Sequence, residues 1–267
     1  IAVSSRSFHR PLSAGQMRLW DAPGEARVLG LPGVELHDAY LQPPGHGLLG
    51  RLRRLLNPPS PTPPDRVYDP RLLRRVRQSM DYYRVSLVAW GCDSALGQPD
   101  LLARARAYVR LALGAARQLG APVLCITADG GVLSANPAPV VDTLGVLAVD
   151  AERAGVRLAL EDAAPTPDVD AVLGVIQGAD SAWIGACVSF GGLRPDRAED
   201  EFERMAARAI ASRASSRAFD AQGEETSIPY AHRLGVLRGL RYGGAISIEY
   251  GGEGDPGEGV RQTLRLI

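Results

Sequence analysis

The chain has 267 residues, and its 30 basic and 30 acidic side chains give no net charge at pH 7. Hydrophobic residues make up 45% of the sequence, which is enough for one large buried core or two modest ones. Balanced charge and the lack of an apolar stretch of membrane-spanning length exclude nucleic acid and membranes as expected partners, so we expect a globular protein of the cytoplasm.

Short apolar runs alternate with longer amphipathic stretches along the whole chain. In residues 101–112, aliphatic side chains recur every three or four positions with arginines opposite, which predicts a helix. Gly120 and Gly155 follow two such patterns and are typical of helix ends. Eight strands are predicted, at residues 1–5, 33–37, 83–90, 122–127, 156–161, 183–189, 215–220 and 245–249.

Eight strand-helix units in about 250 residues predict a closed (β/α)8 TIM barrel, an α/β fold, as a single domain over residues 1–267. A doubly wound sheet typically has fewer strands and a glycine-rich first turn. One insertion, rich in proline and arginine, interrupts the rhythm at about residues 41–68, between the second strand and the helix after it. It is interpreted either as a substrate lid or as a short amphipathic helix with a solvated basic face.

Two of the predicted strands end in a glutamate, Glu161 and Glu249. Strand alternation places Ala159 and Glu161 on one face, and Ser247 and Glu249 likewise, whereas Leu160 faces the outer helices. Active sites of TIM barrels lie at the C-terminal ends of the strands. Both glutamates are therefore predicted to lie in the active centre.

Other side chains are weaker candidates for substrate contacts. Glu35 and His37 lie two residues apart on the second strand, so both are predicted to line the barrel mouth, a structural histidine being the alternative. Trp90 ends the third predicted strand and is predicted to form an apolar wall for the substrate, with simple packing as the alternative. All 30 basic residues are arginine, which excludes Schiff-base or P-loop lysine chemistry.

Four segments carry a family resemblance. The runs GVELH at residues 33–37, LGAPV at 119–123, GVRLALE at 155–161 and YGGAISIE at 242–249 resemble the sugar phosphate isomerase/epimerase family of xylose isomerase-like TIM barrels. The resemblance implies a divalent metal held by four strand-end side chains, a Glu, an Asp, a His and a Glu. It also implies that the two glutamates act as acid and base next to a carbonyl.

This chain departs from that ligand pattern at its two middle positions. Glu161 and Glu249 match the first and last ligands, but the family's Asp aligns with Ser189 and its His aligns with Arg217. Ser189 is therefore predicted to contact the substrate instead of a metal. A serine hydroxyl beside a guanidinium is a poor cage for a divalent ion. We therefore predict a site without metal or other cofactor, in which Arg217 neutralises the two glutamates.

The predicted function is that of an isomerase or epimerase, or a related lyase, that acts on a small carbonyl-bearing substrate such as a sugar or a biosynthetic intermediate. Proton transfer by Glu161 and Glu249 carries the reaction, with Arg217 replacing the metal. Two alternatives stay open. One is a sugar isomerase or epimerase that uses Mn, Mg or Zn bound through the same glutamates, and the other is a noncatalytic binding protein on a degenerate barrel.

Overall fold

A computed structural model describes residues 1–41, 68–96, 98–128, 130–135, 137–162 and 168–267. In these residues, eight parallel strands close into a barrel in chain order, with the last strand paired to the first. The predicted (β/α)8 TIM barrel is confirmed. The strands are β1 (Ala2–Ser4), β2 (Gly33–His37), β3 (Ser86–Leu96), β4 (Val123–Ala128), β5 (Arg157–Asp162), β6 (Ile184–Ser189), β7 (Ala209–Ser216) and β8 (Ile246–Tyr250).

Helices connect the strands around the outside of the barrel. Gly120 and Gly155 follow two of them with φ of 80° and 67°, a left-handed conformation that glycine adopts without a steric penalty. Within the described residues, none of the helices has both the length and the apolar character needed to cross a membrane. The α-helices are α1 (His9–Ala14), α2 (Ala22–Val28), α3 (Pro70–Tyr83), α4 (Leu102–Leu119), α5 (Gly130–Ala135), α6 (Pro137–Ala154), α7 (Val169–Ala179), α8 (Ala198–Ala206), α9 (Tyr230–Gly239) and α10 (Pro256–Leu266).

Most of the insertion expected at residues 41–68 lies outside the described residues. The strand before it is as predicted, and α3 begins two residues beyond it. β3 begins at Ser86 rather than at residue 83, because α3 runs to Tyr83 and Arg84 ends it in a left-handed conformation, with φ of 56°.

The two faces of the barrel sheet carry different side chains. Leu160 packs outward into the large core between strands and helices, as the alternation predicts. Ala159 points inward, where the side chains are small. Such an interior leaves room for long charged side chains, whereas bulky aliphatic residues usually fill a TIM barrel. The inward cluster contains Ala89, Val123, Cys125, Ala159, Cys187 and Ala211.

The seventh strand differs from its predicted position. It covers Ala209–Ser216 rather than residues 215–220, and it starts three residues after the end of α8. The run Ala-Ala-Arg-Ala-Ile-Ala at residues 206–211 has high helix propensity, so the local sequence does not predict a strand there. The strand forms because β7 pairs with β6 and β8 in the barrel. As a consequence Arg213 lies inside the barrel, whereas Arg217 lies beyond the strand end.

Candidate active site

Arg213 lies at the centre of the barrel interior, and its side chain is only 1% exposed. Its Nε donates a hydrogen bond of 2.7 Å to Glu35 Oε1 on β2, and its Nη1 forms an ion pair with Glu161 on β5. Glu249 on β8 lies further away, with its Oε2 3.7 Å from Arg213 Nε. One guanidinium thus joins three carboxylates that come from three different strands.

Arg6 supplies a second positive charge at the barrel mouth. It follows β1 in a short 3-10 helix, Ser5–Phe8, and its side chain is 25% exposed. Its Nη2 lies 3.1 Å from His37 Nε2, 3.7 Å from Asp93 and 4.0 Å from Glu161 Oε2. Arg6 therefore approaches one carboxylate oxygen of Glu161, Oε2, whereas the more deeply buried Arg213 pairs with the other, Oε1.

The two strand-end glutamates have pKa values that move in opposite directions. Burial raises the pKa of Glu161, but the guanidinium groups of Arg213 and Arg6 outweigh burial and hold this pKa below its usual range. Burial also raises the pKa of Glu249, and there Arg213 and Arg6 offset only part of the effect, so its pKa stays above the usual range. Two carboxyl groups with separated pKa values suit the roles of base and acid.

These opposite directions predict opposite effects of pH on stability. The raised pKa of Glu249 makes ionisation costly in the folded state, so stability falls as pH rises above the ordinary value of 4.5. The stability of Glu249→Gln relative to wild type should therefore increase between about pH 4 and about pH 8. Glu161 has a lowered pKa, so its contribution is present above 4.5 and is lost as pH falls.

Urea denaturation of both glutamine variants across this pH range measures the effect. Glu161→Gln should be less stable than wild type at neutral pH, and the deficit should shrink in acid. Curves of the two variants that run parallel to each other would contradict the assignment of opposite shifts.

A cavity of about 350 Å³ opens at the C-terminal end of the barrel. Glu161 and Glu249 both line it, together with Ser189 on β6. Ser189 Oγ lies 2.7 Å from Ser215 Oγ on β7, so the two hydroxyls are hydrogen-bonded to each other. Within the described residues, Glu161 Oε2 and Glu249 Oε2 are buried oxygens without a hydrogen-bond partner. Each of these oxygens lies at ion-pair distance from an arginine, Glu161 Oε2 from Arg6 and Glu249 Oε2 from Arg213, but neither accepts a hydrogen bond within the described residues.

The remaining predicted residues occupy different parts of the molecule. His37 is buried beside Arg6 at the mouth, and Gly91 makes room for its ring, since a Cβ there would come within 2.6 Å of His37 Cδ2. Glu35 lies deeper, 2% exposed, against Arg213 instead of at the mouth. Trp90 does not line the cavity, contrary to expectation, because its position on β3 turns it outward into the core, where it is fully buried against Tyr68.

Arg217 also differs from its predicted role. The ion pairs to Glu161 and Glu249 come from Arg213, because β7 ends at Ser216 and leaves Arg217 exposed at the edge of the cavity. Sequence reasoning missed Arg213 and Arg6. Arg213 lies two residues before Ser215, so strand alternation places both side chains on the inner face once β7 is assigned to Ala209–Ser216. Nothing in the sequence links Arg6 to the glutamates.

The side chains present do not fit the divalent metal that the resemblance implies. Glu161 and Glu249 are suitable donors, but Ser189 and Ser215 offer only neutral hydroxyls that bond to each other. Arg213 adds a permanent positive charge against both glutamates, and such a charge opposes cation binding. Among the residues described, no three or more His, Cys, Asp or Glu side chains are grouped as metal ligands.

Comparison with protein families gives a clear assignment. The profile of the xylose isomerase-like TIM barrel family matches residues 25–267. The chain belongs to this family. Among curated proteins, none matches this xylose isomerase-like TIM barrel significantly.

Solved structures similar to this xylose isomerase-like TIM barrel have low sequence identity. A D-psicose 3-epimerase crystallised in the presence of D-fructose has a TM-score of 0.70 at 13% identity, covering 99% of this chain and 96% of that chain. A 3-keto-D-glucoside 4-epimerase from E. coli has a TM-score of 0.67 at 14% identity and covers 93% of both chains. A probable 3-DHS dehydratase from Bacillus anthracis has a TM-score of 0.65 at 10% identity, covering 99% and 97%. Membership of this family supports the prediction of an enzyme.

Proposed function

We propose that this protein is an isomerase or epimerase, or a related lyase, that moves a proton next to a carbonyl group of a small molecule without a divalent metal. The observation that carries the proposal is the convergence of Glu161 and Glu249 on one cavity, with Arg213 and Arg6 between and beside them. Proton transfer of this kind requires a base, an acid and a positive group for the developing oxyanion.

Each group has a role that follows from its surroundings. Glu161 is ionised, because its pKa is lowered by Arg213 and Arg6 against the effect of burial, so it removes the proton from the carbon next to the carbonyl. Electrons from that C–H bond form an enolate whose oxygen is negative. Arg6 lines the cavity and stabilises this oxygen, whereas the buried Arg213 holds Glu161 in its charged form.

Glu249 completes the reaction from the other side of the cavity. Burial raises its pKa, so it holds a proton near neutral pH more readily than an exposed carboxyl group. Return of that proton to the opposite face of the carbon gives epimerisation. Return to the former carbonyl carbon gives isomerisation, with the hydroxyl proton of the first carbon passing to the enolate oxygen so that a new carbonyl forms there. Loss of a leaving group from the enolate gives the lyase reaction. The similar structures of two epimerases and a dehydratase agree with this class of chemistry.

Solvent-deuterium exchange tests the proposal directly. The protein is incubated in D₂O with ketoses, ketose phosphates and keto acids, and deuterium incorporation next to the carbonyl is followed by NMR. We expect exchange with at least one compound, and we expect prior treatment with EDTA to leave its rate unchanged. Ligand binding without exchange, for every compound that binds, would favour the noncatalytic binding protein instead.

Elemental analysis separates the metal-free reaction from the metal-dependent alternative. Protein purified without chelator is expected to contain Mn, Mg and Zn far below one equivalent. A near-stoichiometric metal that disappears in both Glu161→Gln and Glu249→Gln would show that the two glutamates hold an ion. The Arg213 ion pairs would then have to rearrange to accommodate it.

A further inference from the structure

Arg217 presents a positive charge to the cavity. Its side chain is exposed and lines the same space as Glu161 and Glu249. In the part of the chain that the structure describes, its guanidinium has no ion pair and no hydrogen bond; only its backbone N–H is bonded, to Glu225 Oε1 at 3.2 Å. By contrast, Arg213 and Arg6 at the same site are both paired with carboxylates.

In the loop that follows β7 and carries Arg217, two carboxylates accept hydrogen bonds from backbone N–H groups. Glu225 accepts hydrogen bonds from the backbone N–H groups of Ser227 and Ile228 as well as from that of Arg217. Asp220 accepts two more from the backbone of the same loop. These acids therefore fix the loop that carries Arg217, and they leave its charge available to a ligand.

Neutral hydrogen-bond donors surround this part of the cavity. Ser189 and Ser215 form one hydroxyl pair, in which one proton is shared and the other hydroxyl proton is available to a ligand. Ser216, Gly191 and Gly192 complete this side of the cavity with small residues. The Arg217 guanidinium and this hydroxyl pair line the same cavity, and such donors bind the oxygens of a carboxylate or a phosphate.

We propose that the substrate is an anion whose carboxylate or phosphate group binds Arg217 and the Ser189–Ser215 hydroxyl pair, while its carbonyl end lies between Glu161 and Glu249. This inference rests on the proposed function for the carbonyl end. The anion contact itself is a binding interaction, so it is tested by affinity and does not depend on turnover.

Matched pairs of ligands provide the test. 2-Keto-D-gluconate and D-fructose differ only by a carboxylate in place of a hydroxymethyl group, and D-fructose 6-phosphate adds a phosphate to the same sugar. Inorganic phosphate serves as the isolated anion. Dissociation constants are measured by calorimetry for wild type, Arg217→Gln and Arg27→Gln, the last being an exposed arginine on α2 that does not line the cavity.

We expect at least one anionic ligand to bind wild type at least tenfold more tightly than D-fructose. Arg217→Gln should weaken that ligand by about tenfold to a hundredfold, the value of a charge-assisted hydrogen bond, and leave D-fructose unchanged. Arg27→Gln should have no effect. Tighter binding of 2-keto-D-gluconate would identify a carboxylate as the bound group, and tighter binding of D-fructose 6-phosphate would identify a phosphate.

Three results would overturn the inference: no anionic ligand binds, D-fructose binds as tightly as its charged counterparts, or Arg217→Gln binds the anions as wild type does. Glu161→Gln distinguishes a failure here from a failure of the proposed function. That variant should still bind the anions, since Glu161 repels them, but should lose deuterium exchange.

Discussion

Replacing Arg213 with methionine is expected to lower the free energy of unfolding by about 3–5 kcal/mol, the cost of removing one partner of a buried ion pair. The Arg213 side chain is 1% exposed and touches Glu35 and Glu161, so the variant removes this counterion from both and leaves Glu161 with the more distant Arg6. Methionine restores much of the side-chain volume but none of the charge. Urea denaturation followed by circular dichroism at neutral pH measures the loss.

An exposed arginine provides the matched control. Arg110 pairs with Asp150 at 2.6 Å, but its side chain is 47% exposed, so Arg110→Met should cost no more than about 1 kcal/mol. Adding Glu35→Gln to Arg213→Met should recover part of the loss, because it removes one of the stranded carboxylates. If Arg213→Met and Arg110→Met lower the free energy of unfolding equally, the buried ion pairs of Arg213 stabilise the fold no more than an exposed ion pair does.

The position of Arg213 also marks the limit of what the sequence reveals. Glu161 and Glu249 could be placed because each ends a short apolar run with clear alternation, and the mouth of a TIM barrel gathers the ends of its strands. The run around residues 206–211 instead reads as helix by its alanine content. Its strand depends on pairing with β6 and β8, which are separated from it in sequence.

Trp90 shows a second limit, which concerns orientation. It ends a predicted strand, so strand position alone allows it to face the barrel mouth or the helices. In the sheet it pairs with Leu36 and packs edge-on against Tyr68, on the outer side. His37, one residue beyond Leu36, faces inward and reaches Arg6. To choose between a substrate wall and simple packing, one must know which residues of β3 face inward. The register of β3 with β2 gives this information.

The glutamine variants of the two glutamates are expected to have the largest effect on catalysis. Removal of a general base or acid typically lowers a rate by about 10²–10⁴-fold. Glu161→Gln should lose both deuterium exchange and product formation, because no enolate forms without the base. Glu249→Gln should keep measurable exchange, since Glu161 still removes and returns a proton, but should lose conversion to product. Both rates are measured in D₂O on the compound found in the exchange screen.

The pH dependence of the wild-type rate adds an independent readout. Because the pKa of Glu161 is lowered and that of Glu249 is raised, the rate should fall in acid as Glu161 is protonated and fall in base as Glu249 loses its proton. Glu258→Gln, on the half-exposed face of α10, is the matched control and should retain the full rate and profile. If each of the two variants, Glu161→Gln and Glu249→Gln, loses exchange and conversion in equal proportion, the two carboxylates do not act separately as base and acid. Another group must then donate the proton to the substrate.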